Sequence, residues 1–227
     1  MEKKLFMIRS NINNKTKLYI SISLHPGNKG AKFFNYLFQI KKKNAVYLPL
    51  KLKNIKNIKN IINELNIAGC SVSMPFKKKI LKYVDKKDKI VKVTNCANTI
   101  LKKNKQLIAF NFDYMGIKKV LDGLKILNKD KILILGNGAM AMNTIYYLQS
   151  KKFENIYVCS RKNIKIKGVK LFGWRYRNKV NSDVIINCTP IGMPHINKLP
   201  INIKKLVNLK YIIDYTINNS SNLKKTF

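Results

Sequence analysis

Short apolar runs alternate with apolar stripes at three- and four-residue spacing along most of this chain. Residues 18–23 (LYISIS) form a β-rich run and predict a strand. Residues 25–30 are turn chemistry, and 31–41 then predict an amphipathic helix with Phe34, Leu37 and Phe38 on one side. Residues 45–50 (AVYLPL) predict a second strand. Ile55, Ile58, Ile61, Ile62 and Leu65 form a helical stripe. Residues 69–73 predict a strand stopped by Met74-Pro75-Phe76, and a helix is expected over 77–84. Two strands, 97–101 and 107–110, flank a polar turn at 102–105. A helix is expected over 117–127, a buried parallel-type strand over 131–135 (KILIL) and a helix over 140–150. Strands at 156–159, 183–188 and 211–214 follow. Strands alternating with helices predict an α/β fold, with a domain boundary between 113 and 128.

Composition changes this picture little. The 227 residues suffice for one large or two small domains, and a hydrophobic fraction of 46% can fill a core. No apolar run reaches membrane-spanning length, and residues 1–8 lack the features of a signal peptide, so a cytoplasmic chain without a membrane role is expected. Cys70, Cys96, Cys159 and Cys188 lie far apart with no metal-ligand spacing, which predicts free thiols and no metal site.

Charge matters more. The formal net charge is +36, the footprint of a polyanion binder. Only four of the 46 basic residues are Arg, however, and the lysines are spread along the whole chain. Nucleic-acid readers favour Arg for its bidentate fork. Lys, Asn and Ile, the residues of A/T-rich codons, crowd every segment, so compositional drift explains the charge better than a specific nucleic-acid partner. In this background the rarer Arg, Gly, Asp and Pro carry more information.

Gly136-Asn137-Gly138-Ala139-Met140-Ala141 follows a predicted strand and opens a predicted helix, the context a phosphate-binding turn requires. The first glycine permits the tight turn, the second lets backbone approach a pyrophosphate, and Ala141 lets helix and strand pack closely. The anion would rest on the helix N-terminus. The next strand ends in Ser160-Arg161, with Lys165 beyond and no acid. A guanidinium there suits a 2′-phosphate, so NADP rather than NAD is expected.

Lys77 follows one strand end and Asp113 another, and an ammonium beside a carboxylate can pass a proton to a substrate oxygen. Each alone also reads as an ordinary surface lysine or a helix cap. Their surroundings decide between these. Gly69-Cys70-Ser71-Val72-Ser73-Met74-Pro75-Phe76-Lys77, Cys96-Ala97-Asn98-Thr99, Asn111-Phe112-Asp113-Tyr114, the glycine turn and Asn187-Cys188-Thr189-Pro190-Ile191-Gly192-Met193 occur in the order and spacing of the shikimate dehydrogenase family. The start of the chain, through Pro26-Gly27-Asn28 and Phe33-Phe34-Asn35, resembles its bacterial shikimate dehydrogenase-like subfamily. The resemblance spans about residues 12–217.

The resemblance implies an N-terminal α/β substrate-binding catalytic domain over 1–113 and a Rossmann-like NADP-binding domain over 114–213, with the tail 214–227 returning to the first. It implies NADPH-dependent reduction of 3-dehydroshikimate to shikimate, in the chorismate route to aromatic amino acids. Lys77 and Asp113 would be the catalytic pair. Ser73, Asn98, Asn28 and Asn111 would bind substrate, and Gly136, Asn137, Gly138, Ala139, Met140, Ala141, Ser160, Arg161, Lys165 and Thr189 the cofactor. A monomer or homodimer is expected. Quinate or another polyol acid is the alternative substrate, and a basic nucleic-acid-binding relic the rival from another class. Three departures stand out. Phe112 and Tyr114 replace a Thr and a Gly, the carboxylate-gripping serine pair has no clean counterpart, and the chain stops at Phe227, short of the family's G-x-x-M-L-x-x-Q segment.

Overall fold

The computed structural model describes residues 12–162, 165–193, 196, 198–202 and 209–216. The chain divides into two compact units, Met1–Phe112 and Asp113–Phe227.

The first unit is built on a mixed sheet. Strands β1 (Lys17–Ser23), β2 (Ala45–Lys51) and β3 (Gly69–Val72) run parallel, β5 (Thr99–Lys103) runs antiparallel to β3, and β6 (Gln106–Phe110) and the short β4 (Lys86–Lys87) complete the order β2-β1-β3-β5-β6-β4. Alternation in β1 sends Ile20 and Ile22 into one core with Cys70, Val72 and Ile100, against Ile58 and Ile62 of α2 (Ile58–Glu64). The opposite face carries α1 (Lys29–Ile40), whose Phe34 stacks on Tyr47 and whose Phe38 meets Tyr19. No residue of α1 is fully buried. Asn104 and Lys105 both take positive φ and close the β5–β6 hairpin.

Two expected helices change form. Over 77–84 only a 3₁₀ turn, Lys79–Lys82, is found. The Asp85 N–H bonds to the Leu107 carbonyl, so the chain is drawn onto the β6 edge before a helix can propagate. The helix expected at 117–127 is α4, Asp113–Asp122. Gly123 follows its last turn, and the Leu127 N–H bonds to the Asp130 carboxylate instead of continuing the ladder. A helix unforeseen in the pattern, α3 (Lys89–Thr94), starts where the Asp88 carboxylate accepts the Val91 N–H at 2.7 Å.

The second unit holds a fully parallel sheet, order β11-β10-β7-β8-β9. Its strands are β7 (Lys131–Leu135), β8 (Asn155–Ser160), β9 (Lys170–Gly173), β10 (Val184–Asn187) and β11 (Tyr211–Asp214). Strand β7 is buried on both faces. Ile132 and Ile134 face α4 and α5 (Ala139–Ser150), whereas Leu133 and Leu135 face the opposite side with Cys159, Ile185 and Ile201. Among the described residues no helix is long and apolar enough to cross a membrane.

Candidate functional site

In the second unit the strand order reverses at β7, with β8 and β9 on one side and β10 and β11 on the other. Ligands of parallel α/β sheets bind at the carboxyl end of such a switch point. The turn that follows β7 is built for close approach. Gly136 has φ +97°, and a Cβ there would lie 3.0 Å from Thr189 Cγ2. Gly138 is the opposite case: a Cβ there would meet nothing within 4 Å, so the chain passes open space. Gly138 is also the N-cap of α5, and no side chain caps the helix. Ala141 is fully buried between helix and sheet. A cradle of uncapped helix N-terminus and open glycine fits a pyrophosphate.

Neighbouring strand ends brace the turn. The Asn137 amide donates to the Lys162 carbonyl at 2.9 Å, and the Ser160 hydroxyl donates to the same carbonyl at 2.7 Å. Ser160 is buried and so braces the turn, while Arg161 beside it is exposed at the end of β8. Lys165 is exposed on the connection to β9. After β10, the Thr189 hydroxyl and N–H both donate to Asn187 Oδ1, at 2.7 and 3.0 Å. The buried Asn187 amide donates in turn to the Ile191 carbonyl at 2.9 Å and to Asp214 at 3.0 Å. Asn187 and Asp214 thus shape the Thr189 loop, a role sequence reasoning assigned to neither. Asn187 stood inside the Asn-x-Thr motif, whereas Asp214 gave no local signal. Asp214 also accepts from the Thr216 hydroxyl at 2.9 Å. Cys188 lies beside Thr144, and burial pushes its thiol up to about 12.

In the first unit the sheet order brings the predicted substrate residues to one edge. Because β5 is antiparallel, its start lies level with the ends of β1, β3 and β6. Ser73 is exposed just past β3, tied by its N–H to the Ile22 carbonyl at 3.0 Å. Lys77 is half-buried, whereas Lys78 and Lys79 are exposed. Its carbonyl accepts the Ala97 N–H at 2.8 Å, which fixes the backbone that carries the amine. Asn98 bridges the strands: its carbonyl accepts from Val72 at 2.7 Å, and its Oδ1 accepts the Phe112 N–H and the Thr99 hydroxyl, each at 3.0 Å. Asn28 is exposed at the N-terminus of α1.

Asn111 sits differently from its neighbours. It is 3% exposed, and its amide donates inward to Thr94 Oγ1 at 3.0 Å and Cys96 Sγ at 3.2 Å. It fastens the corner that positions Asn98 and Phe112. Phe112 is exposed and stacks parallel on Phe110. Asp113 opens α4 as the acid of its first turn.

One unit therefore carries a glycine turn at the switch point of a parallel sheet, and the other a polar edge with a half-buried lysine. That pairing defines a class, the two-domain dinucleotide-dependent α/β proteins. Comparison with known proteins is more specific. The profile of the shikimate dehydrogenase substrate binding domain matches residues 27–100. A shikimate dehydrogenase-like protein of Haemophilus influenzae is 31% identical over 187 residues, which cover 80% of this chain and 69% of that protein. A shikimate dehydrogenase (NADP(+)) of Clostridium beijerinckii is 29% identical over 211 residues, covering 88% and 75%. The crystal structure of a shikimate dehydrogenase in complex with NADP+ shares 27% identity at a TM-score of 0.76, covering 94% of this chain and 82% of that one. The chain belongs to the shikimate dehydrogenase family.

Proposed function

We propose that this protein is an NADP-dependent oxidoreductase that interconverts 3-dehydroshikimate and shikimate. The observation that carries the reading is the joint presence of a half-buried Lys77 on the substrate edge and an open, uncapped glycine cradle in the second unit. The residues present fit the dinucleotide. Gly136 to Ala141 would take its pyrophosphate, Thr189 would line the loop beside it, and Arg161, with Lys165 beyond, would pair with a 2′-phosphate. When bound, NADP(H) supplies or accepts the hydride.

The protein's own groups handle the rest. Lys77 holds the proton that leaves or joins the substrate oxygen as the carbon changes oxidation state, with Asp113 as its carboxylate partner. Ammonium serves reduction and neutral amine serves oxidation, so one side chain works in both directions. Ser73, Asn98 and Asn28 supply polar contacts to ring hydroxyls and carboxylate. In the metabolic direction the reaction is reduction of the ketone.

Incubating the purified full chain with NADP+ and shikimate tests the reading. NADPH absorbance rises with shikimate and stays near background with quinate. If quinate is oxidised faster, the substrate assignment fails. Salt-sensitive nucleic-acid binding without any NADPH formation would overturn the enzyme reading altogether.

A further inference from the structure

The second unit carries a slot remote from the glycine turn. The chain leaves the edge strand β9 and must return past β8 and β7 to β10, three strand spacings or roughly 14 Å. In the residues between them, 174–183, the only helical piece is the 3₁₀ turn Trp174–Tyr176. Trp174 and Val180 of this connection pack against the sheet face opposite α4 and α5. Lys131, Tyr157, Phe172, Tyr176, Lys179, Val180 and Asn181 line a slot of about 310 Å³ there. It lies toward the start of β7, whereas the glycine turn follows that strand's end.

We propose that this slot binds a small planar aromatic acid. Its floor is aromatic: the half-buried rings of Tyr157 and Phe172 lie 6.1 Å apart at 43°. Tyr176 adds a third ring, 38% exposed, with the exposed Arg175 guanidinium 4.8 Å over it. Such rings favour the offset or tilted packing of another flat ring. The rim is cationic, since Lys131 and Lys179 are both exposed lining residues and no acid lines the slot. Lys170 already lies over the Tyr157 ring at 5.6 Å, which adds to the positive field. An apolar flat body with one anionic end satisfies both parts. A neutral arene leaves the lysines unused, and an aliphatic acid leaves the rings unused.

The test uses the full chain and 4-hydroxybenzoate as probe, followed by calorimetry and by emission of Trp174, the single tryptophan, which opens the loop that walls the slot. Saturable one-to-one binding is expected in the roughly millimolar range for so small a ligand. It persists in saturating shikimate and in Lys77→Ala. The double variant Lys131→Gln/Lys179→Gln, altered only at exposed side chains, weakens it about 10-fold. Phe172→Leu weakens it further. 4-Methylphenol and cyclohexanecarboxylate bind markedly less well than the probe. The proposal is overturned if no saturation is seen by about ten times that range, if shikimate displaces the probe, or if the double variant binds it as the parent does.

Discussion

The proposed function assigns cofactor choice to Arg161. It is exposed at the end of β8, one residue from the buried Ser160 that braces the glycine turn. Charge-assisted bonds to a phosphate are worth about 1.5–3 kcal/mol, so Arg161→Ala raises the KM for NADP+ roughly 10- to 100-fold and leaves that for NAD+ unchanged. An equal rise for both cofactors would remove Arg161 from the 2′-phosphate. Gly136 is held by backbone instead. At φ +97° and 3.0 Å from Thr189 Cγ2, Gly136→Ala meets both strain and a clash, and costs about 2 kcal/mol in urea unfolding followed by Trp174 emission. The glycines and Arg161 were legible in the sequence because rare residues stand out in a lysine-rich chain. Asn111 was legible as part of a motif but not in its orientation, since its inward bonds reach Thr94 at the end of α3 and Cys96 just after it, 15–17 residues away.

At the scale of elements, α4 and α5 are clasped by one carboxylate. Asp122 pairs with Lys118 on its own helix, accepts the Tyr147 hydroxyl at 2.6 Å and lies 3.5 Å from Lys151. The Lys118 ammonium, and then the Tyr147 hydroxyl, hold its carboxyl at about 2, below the ordinary carboxylate value. The unfolded chain therefore binds the proton more readily, and the clasp's stabilisation is complete above about pH 5 and fades as pH falls toward 2. Asp122→Asn lowers the urea midpoint of the second unit at pH 7, and the gap from the parent closes as pH approaches 2. A gap that stays constant down to pH 2 would contradict the clasp. Regular elements with clear periodicity, such as β1, β7 and α5, were readable from pattern alone. The short ones were not: α3 has six residues and is set by the local Asp88 cap on Val91, and β4 has two and is set by Asp85 bonding across the sheet edge to Leu107, rather than by hydrophobic period. The expected helix after Lys77 failed for the same reason.

At the scale of the whole molecule, the +36 charge sits on a fold with specific uses for a few lysines. Lys86 and Lys87 form the edge strand β4, where exposed charge discourages pairing with another chain, and Pro49 lies in the other edge strand, β2. Lys210 pairs with the buried Asp130 at 2.7 Å. Lys77 differs from the lysines beside it by being half-buried. In the proposed reaction this one amine moves the proton of an NADP-dependent shikimate oxidation. The most direct measurement is the initial rate of NADPH formation from shikimate by the parent and by Lys77→Ala, with NADP+ affinity measured alongside. The expected result is a loss of roughly 10²- to 10⁴-fold in kcat with NADP+ affinity preserved. Equal turnover in the two proteins would contradict it.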